Sequence, residues 1–190
     1  GTALDITQDV GAGAYHTPYR LSPLSFEVDG KQYSTERPIS TQQSAWVFVS
    51  QLRSNMVDAV GGVFWFGCDD ANMTVFTPVY CCTDVVPACY KDGIDGANDV
   101  TFSFNSAFWV MNWVANTVYP RYDLMIEDVK AIQGDLANTF FQAQDAVEAT
   151  ALELDKESPA QAKAYLTNYT NMMAMNTIDV WKKFGEYLVV

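Results

Sequence analysis

The stretch "GGVFWFGCDDANMTVFTPVY", residues 61–80, decides the fold of the first half of the chain. Residues 63–66 and 74–76 are rich in the β-branched and aromatic side chains that half-buried strands favour. Residues 68–72, between them, collect Asp and Asn, which tolerate tight turns. The stretch therefore predicts a β-hairpin with a polar connection.

The paired acids Asp69 and Asp70 fall in that connection, and they also raise the alternative of a catalytic dyad. Adjacent side chains of a strand point to opposite faces, so two neighbouring carboxylates do not easily share one proton or hold one metal ion. We therefore predict that both acids belong to the turn, although turns also carry function.

Two further segments extend the β-rich region to about Asp99. In "FEVDGKQY", residues 26–33, Asp29 and Gly30 stand between short alternating strands, which is a strong hairpin signal. The run "SAWVFVSQL", residues 44–52, is almost continuously apolar and predicts a strand covered on both faces.

The second half has the period of helices. Residues 106–119 predict a buried helix that Ser106 caps and Pro120 closes. Apolar residues then recur at steps of three and four over residues 121–157, which predicts a helix of about nine turns. Ser158 and Pro159 begin a last helix that runs to about Phe184, antiparallel to the one before. A β-layer followed by long amphipathic helices predicts an α+β fold, with the helices packed on a sheet.

Composition limits the classes of function. The chain has 190 residues, 49% of them hydrophobic, which is enough for a substantial core. Its 11 basic and 23 acidic residues give a net charge of −12, which argues against a nucleic-acid partner. Apolar runs near the length of a membrane span are missing, so none is expected. The composition is compatible with both a cytoplasmic and an exported protein.

The four cysteines, Cys68, Cys81, Cys82 and Cys89, lie close together in sequence. They do not form the paired CxxC pattern of structural zinc sites, and the single histidine, His16, is far away, so no metal is expected. Two interpretations remain open, a disulfide from Cys89 to Cys81 or Cys82, or buried free thiols.

No complete active site is visible in the motifs. His16 lies in a Pro- and Tyr-containing loop without a G-x-S-x-G turn, and "DVGAGAY", residues 9–15, lacks the GK[ST] of a phosphate loop. No cysteine has an activating base near it in sequence. Arg37 is the one candidate for substrate binding. It precedes the strand of residues 44–52, where a guanidinium could hold a carboxylate or carbonyl oxygen, or could simply pair with Glu36 in solvent.

Three blocks in order resemble a known family. They are "ERPISTQQSAWVFVSQLRS" at 36–54, the opening stretch at 61–80, and "FSFNSAFWVMNWVANTVYPRY" at 102–122. They resemble the C-terminal part of the dipeptidase A family of cysteine peptidases, relatives of the secernins. The first twenty residues look like the segment that precedes those blocks in that family.

The resemblance implies an N-terminal-nucleophile hydrolase, an αββα sandwich that cleaves short peptides without a metal or an organic cofactor. In such enzymes an N-terminal cysteine attacks, and its own α-amine serves as the base. This chain begins with Gly1 and Thr2 instead, and Thr2 could act only if Gly1 were removed.

The prediction is thus a single C-terminal fragment or domain over residues 1–190, β-rich to residue 100 and helical from 106. It carries no catalytic residue of its own, and Arg37 binds substrate. Its partner is the N-terminal half of the same enzyme, and self-association is possible. The alternative is an exported module whose five Trp and ten Tyr bind carbohydrate or other flat ligands without catalysis.

Overall fold

A computed structural model describes residues 7–8, 12–18, 25–34 and 39–190. Strands β1 (Ser25–Val28) and β2 (Lys31–Ser34) form an antiparallel hairpin. The two residues between them have positive φ angles, 50° at Asp29 and 74° at Gly30. Asp and Gly tolerate this left-handed conformation, which matches the twist of a two-residue hairpin, so the prediction for this segment is confirmed.

A second sheet contains three antiparallel strands in the order β3-β4-β5. They are β3 (Trp46–Leu52), β4 (Gly62–Cys68) and β5 (Thr77–Tyr80). A one-turn helix, α1 (Asp58–Gly61), joins β3 to β4 and was not expected from the sequence. Strands β4 and β5 pair directly, so the hairpin predicted from residues 61–80 is confirmed.

The second strand of that hairpin begins later than predicted, at Thr77 and not at Thr74. The side chain of Gln133 explains the difference, because its Nε2 donates to the carbonyl oxygens of Asn72 (3.1 Å) and Thr74 (2.6 Å). A helix side chain therefore takes the hydrogen bonds that a neighbouring strand would have made. The connection between β4 and β5 is consequently eight residues long, 69–76.

The second half is helical, as predicted. It contains α2 (Ala107–Val118), a 3₁₀ turn at Tyr119–Arg121, α3 (Tyr122–Glu157) and α4 (Pro159–Leu188). Ser106 stands at the N-cap of α2 but makes no capping hydrogen bond with its side chain. Ser158 alone joins α3 to α4, and Pro159 opens α4. The α+β fold class is thus confirmed, with the helices following the sheet.

The helices cover one face of the three-stranded sheet. Trp65 of β4 packs against Phe141 of α3 with ring centroids 5.2 Å apart, and Tyr80 of β5 meets Tyr169 of α4 at 6.2 Å. Val63, on the same strand as Trp65, is 1% exposed. The core of the described chain therefore lies between this face and the helices.

The opposite face carries a row of four stacked rings, which we call the aromatic face. Neighbouring centroids are 5.6 Å apart from Trp46 to Phe48, 4.4 Å from Phe48 to Phe64, and 5.9 Å from Phe64 to Phe66. Trp46 is 58% exposed and Leu52 78% exposed. The prediction that this strand is covered on both faces is wrong for the described chain, because β3 is an edge strand and most of its residues are exposed.

A charged pair lies at the junction of the sheet and α3. Arg53, just after β3, donates from Nη1 and Nη2 to the two carboxylate oxygens of Glu148 at 2.6 and 2.7 Å. Tyr80 (3.0 Å) and Gln144 (2.9 Å) donate to the same carboxylate, and Arg53 also donates to the carbonyl oxygen of Val60. Burial raises the pKa of Glu148, but the hydrogen bonds from Arg53, Gln144 and Tyr80 outweigh it and leave the pKa below its usual value.

None of the helices in the described part of the chain combines the length and the apolar composition needed to cross a bilayer.

Candidate functional site

The end of strand β4 places two carboxylates in the interior. Asp69 is 1% exposed and Asp70 is fully buried. Asp69 has a φ angle of 66°, a left-handed conformation that is uncommon outside glycine, although Asp is one of the residues that tolerates it. Both acids lie in the hairpin connection, as predicted, but neither is a solvated turn residue. We call them and their hydrogen-bond partners the acid cluster.

Asp70 is held by groups from two other parts of the chain. The Ser40 hydroxyl donates to its Oδ1, which also accepts from the backbone N–H of Asn72 at 3.1 Å. The hydroxyl of Tyr119, at the end of α2, donates to Oδ2 at 3.0 Å. Ser40 in turn accepts from the Asn72 N–H at 2.9 Å. Asp70 therefore fixes the segment around Ser40 against the end of β4.

Asp69 is only partly satisfied. Asn112 of α2 donates from Nδ2 to its Oδ1 at 2.9 Å, and Asn116, one turn later, donates to the Oδ1 of Asn112 at 2.9 Å. The other oxygen of Asp69, Oδ2, is buried and has no hydrogen-bond partner among the described residues. Burial raises the pKa of Asp69 to about 6, although the hydrogen bond from Asn112 acts in the opposite direction. Buried carboxylates with unused oxygens are uncommon and concentrate at functional sites.

The two acids do not share a proton or a ligand. Asp69 accepts a hydrogen bond from Asn112, whereas Asp70 accepts hydrogen bonds from Ser40 and Tyr119. No group of three or more His, Cys, Asp and Glu residues among the described residues is arranged to hold a metal ion. The arrangement can therefore hold a proton on Asp69 near neutral pH and can position the chain around Ser40.

Asp69→Asn is expected to stabilise the protein at high pH. Because the folded-state pKa is about 6 and the ordinary value is 3.8, ionising Asp69 disfavours the folded state as pH rises through this window. The full effect above pH 7 is about 3 kcal/mol, and it disappears below pH 4. Urea unfolding of the protein at pH 4 and pH 8 measures it.

The exposed Asp145 supplies the control, since Asp145→Asn is a surface substitution and should change the free energy of unfolding by no more than about 0.5 kcal/mol. An Asp69→Asn effect that is the same at pH 4 and pH 8 would contradict the raised pKa.

Burial disfavours the thiolate form of three of the four cysteines, Cys68, Cys82 and Cys89. All four are free thiols, so the interpretation of a disulfide is wrong. Cys68 and Cys89 are buried, and burial raises the pKa of each to about 12. Burial also raises the pKa of Cys82. Cys81 is exposed and lies across from Gly62 in the sheet.

The other sequence candidates lie away from the acid cluster or outside the described residues. His16 is exposed, and its Nδ1 is 2.7 Å from the carbonyl oxygen of Thr7, so the surface-loop interpretation is confirmed. Arg37 and Thr2 fall outside the described residues. The residues that complete the cluster, Ser40 and Asn112, were not singled out, and their residue types give no signal that could have identified them.

Comparison with known proteins gives two findings. The sequence model of peptidase family C69 matches residues 1–135. A probable dipeptidase B of Lactococcus lactis subsp. lactis (strain IL1403) is 30% identical over 143 residues, which cover 73% of this chain and 27% of that protein. The chain thus spans about a quarter of the length of this curated relative.

Proposed function

Because the chain belongs to peptidase family C69, we propose that it is the C-terminal part of a cysteine dipeptidase that hydrolyses short peptides. The nucleophile in this proposal is an N-terminal cysteine outside the 190 residues. Two facts support that placement. The four cysteines of the chain are internal, and the raised pKa values of Cys68 and Cys89 keep both thiols protonated at neutral pH.

The aromatic face is the observation that carries this proposal. One face of the three-stranded sheet is covered by helices, while on the other Trp46 and Phe48 remain 58% and 43% exposed. Among the described residues, strand β3 is also an edge of the sheet, with backbone groups open to a further strand. Such a surface is half of a sandwich, and in our proposal the N-terminal half of the same enzyme covers it.

The same surface gives the isolated chain a second way to bury its apolar side chains. In the absence of the N-terminal half, we propose that two copies associate through the aromatic face. Size-exclusion chromatography of the chain and of the full-length protein distinguishes this homo-oligomer from an assembly that the complete enzyme also forms.

We further propose that Arg37 orients the substrate in the complete enzyme. Ser40, three residues later in the sequence, is hydrogen bonded to Asp70 and belongs to the acid cluster. A guanidinium suits the carboxylate or the carbonyl oxygen of a short peptide.

Arg37→Ala is expected to lower dipeptide turnover by about 10- to 100-fold, the range expected for one lost charge-assisted hydrogen bond. The assay uses the full-length protein, and the melting temperature should change by only a few degrees. Arg121→Ala is the matched control, because Arg121 is exposed and makes no ion pair with a described residue. If both variants keep wild-type turnover, Arg37 is a surface residue.

A second candidate function rests on the same exposed rings. Stacked aromatic side chains can bind flat faces of sugars, so a carbohydrate-binding module without catalysis would also use Trp46. This alternative predicts that the isolated chain binds soluble oligosaccharides and that Trp46→Ala abolishes the binding. The dipeptidase proposal predicts no such binding, because in that proposal the aromatic face is a packing surface for the N-terminal half and not a sugar site.

A further inference from the structure

A cleft of about 340 Å³ opens beside the end of strand β4. Four aromatic side chains line it: Phe66, Tyr90, Phe108 and Trp109. We call it the aromatic cleft. Its volume lies within the range of about 300–1,000 Å³ that is usual for small-molecule sites. Phe66 belongs both to the cleft and to the aromatic face, so the two surfaces are continuous.

The loop of residues 90–99, which supplies part of the lining of the aromatic cleft, is held in shape. Trp109 donates from Nε1 to the carbonyl oxygen of Asn98 at 2.9 Å, and Asn105 donates from its side chain to Asp95. Gly93 and Gly96 have φ angles of 73° and 75°, which glycine adopts without strain. A wall that is already ordered reduces the entropy that a ligand must overcome.

The rim of the aromatic cleft carries both signs of charge. Lys91, Asp92 and Asp99 line it, and all three are exposed. None of them makes an ion pair with another residue in the described part of the chain. Unpaired charges of opposite sign around an aromatic interior complement a small zwitterion with an aromatic side chain.

We propose that the aromatic cleft binds a dipeptide with an aromatic side chain, whose α-ammonium group faces Asp92 and Asp99 and whose carboxylate faces Lys91. This inference rests on the proposed dipeptidase function, and it adds the substrate class and the residues that select it. The side chain occupies the space between Phe66, Tyr90 and Trp109, where contact with the rings favours aromatic over small residues. The rim charges restrict binding to peptides with both ends free.

The first test measures binding to the full-length protein. The probe is the hydroxyethylene isostere of phenylalanyl-phenylalanine, which a peptidase cannot hydrolyse. The indole N–H signal of Trp109 in a ¹⁵N spectrum should shift saturably on titration. Trp181 is the internal control, because it is fully buried in α4, and its signal should not move.

The second test separates the two charged ends. Capping the amine with acetyl, or converting the carboxylate into an amide, should each weaken binding by about 10-fold. Asp92→Asn combined with Asp99→Asn should remove only the sensitivity to acetylation, and Lys91→Gln only the sensitivity to amidation. Lys183→Gln, an exposed lysine of α4 outside the cleft, should leave both sensitivities unchanged.

A third variant tests the shape of the cleft. Ala97 lines it and is 5% exposed, so Ala97→Leu fills part of its volume. Affinity for the phenylalanyl isostere should fall at least about 10-fold, while affinity for the alanyl-alanine isostere should stay within about twofold. A thermal melt shows whether the variant is folded. If it is not, the variants of Lys91, Asp92 and Asp99 provide the test.

The outcomes distinguish the two proposals. If the full-length protein hydrolyses phenylalanyl dipeptides while the Trp109 signal stays fixed, the cleft inference is overturned and the dipeptidase proposal stands. If the Trp109 signal shifts but no dipeptide is hydrolysed, the cleft is supported as a ligand site and the dipeptidase proposal fails. Equal losses for both ligands in Ala97→Leu, or equal effects of both end caps in the charge variants, would also overturn the cleft inference.

Discussion

The isolated chain is expected to hydrolyse no dipeptide, whereas under the proposed function the full-length protein is expected to hydrolyse them readily. Amide cleavage needs a nucleophile, a base and donors aimed at the developing oxyanion, and loss of the covalent centre leaves only a small part of the rate. With a pKa of about 12, Cys68 and Cys89 are thiolates in roughly one molecule in 10⁵ at pH 7. Cys81 is exposed, but His16 is engaged with the Thr7 carbonyl oxygen in a separate loop.

The experiment compares the chain and the full-length protein on one dipeptide panel at equal concentration, before and after alkylation of cysteines. We expect a difference of several orders of magnitude between the two proteins before alkylation. Cys81→Ser in the full-length protein is the control and should leave turnover unchanged, since this thiol has no role in the proposed chemistry. Robust turnover by the isolated chain that alkylation abolishes would make one of its four cysteines the nucleophile and would refute the proposal.

Glu148→Ala is expected to destabilise the protein by about 3–5 kcal/mol, the range observed when one partner of a buried ion pair is removed. The side chain of Glu148 is 6% exposed and that of Arg53 is 20% exposed. The guanidinium would therefore lose its partner at a site where little water can replace the carboxylate. Tyr80 and Gln144 would lose the same acceptor. Chemical denaturation of the full-length protein at pH 7 measures the change.

Two controls show whether the effect belongs to the buried pair. Replacing both partners by apolar residues, Arg53→Met with Glu148→Leu, should recover most of the lost stability because no unpaired charge remains. Glu153→Ala breaks an exposed pair with Lys156 on the same helix and should change stability by less than about 1 kcal/mol. If Glu148→Ala costs no more than Glu153→Ala, the pair does not support the fold.

The pH dependence of this pair has a definite sign. The pKa of Glu148 is lowered in the folded state, so its contribution is complete above the ordinary value of 4.5. It is lost as pH falls below that value and the carboxylate is protonated in the folded protein. Asp69 acts in the opposite direction, because its raised pKa weakens the folded state as pH rises from the ordinary value of 3.8 to about 6.

The helices could be predicted because their information is local. Apolar residues at steps of three and four indicated α3 along its whole length. Ser158 and Pro159 marked the start of α4. The hairpin at Asp29 and Gly30 was equally local, since the two residues themselves favour the turn.

The start of β5 and the acid cluster could not be predicted in this way. The late start of β5 depends on Gln133, which lies on α3 about sixty residues later in the sequence. Ser40 reaches Asp70 across 30 residues, and Asn112 reaches Asp69 across 43. Their residue types are common on surfaces, so only the folded chain shows that they complete a buried site.

The coverage of β3 was wrongly predicted for a related reason. An apolar strand indicates that something covers it, but the pattern does not say whether the cover lies in the same stretch of chain. Here the helices reach β4 and β5 and leave Trp46 and Leu52 open.

The single residue between α3 and α4, Ser158, affects the order in which contacts are expected to form during folding. Helices of 36 and 30 residues meet through it, so their contacts are close in sequence and can form early. The bridge from Arg53 to Glu148 spans 95 residues, and closing so long a loop has a larger entropic cost. We therefore expect the helical hairpin to be structured in the folding transition state and the bridge to form after it. Loss of the bridge would then accelerate unfolding and leave the folding rate nearly unchanged.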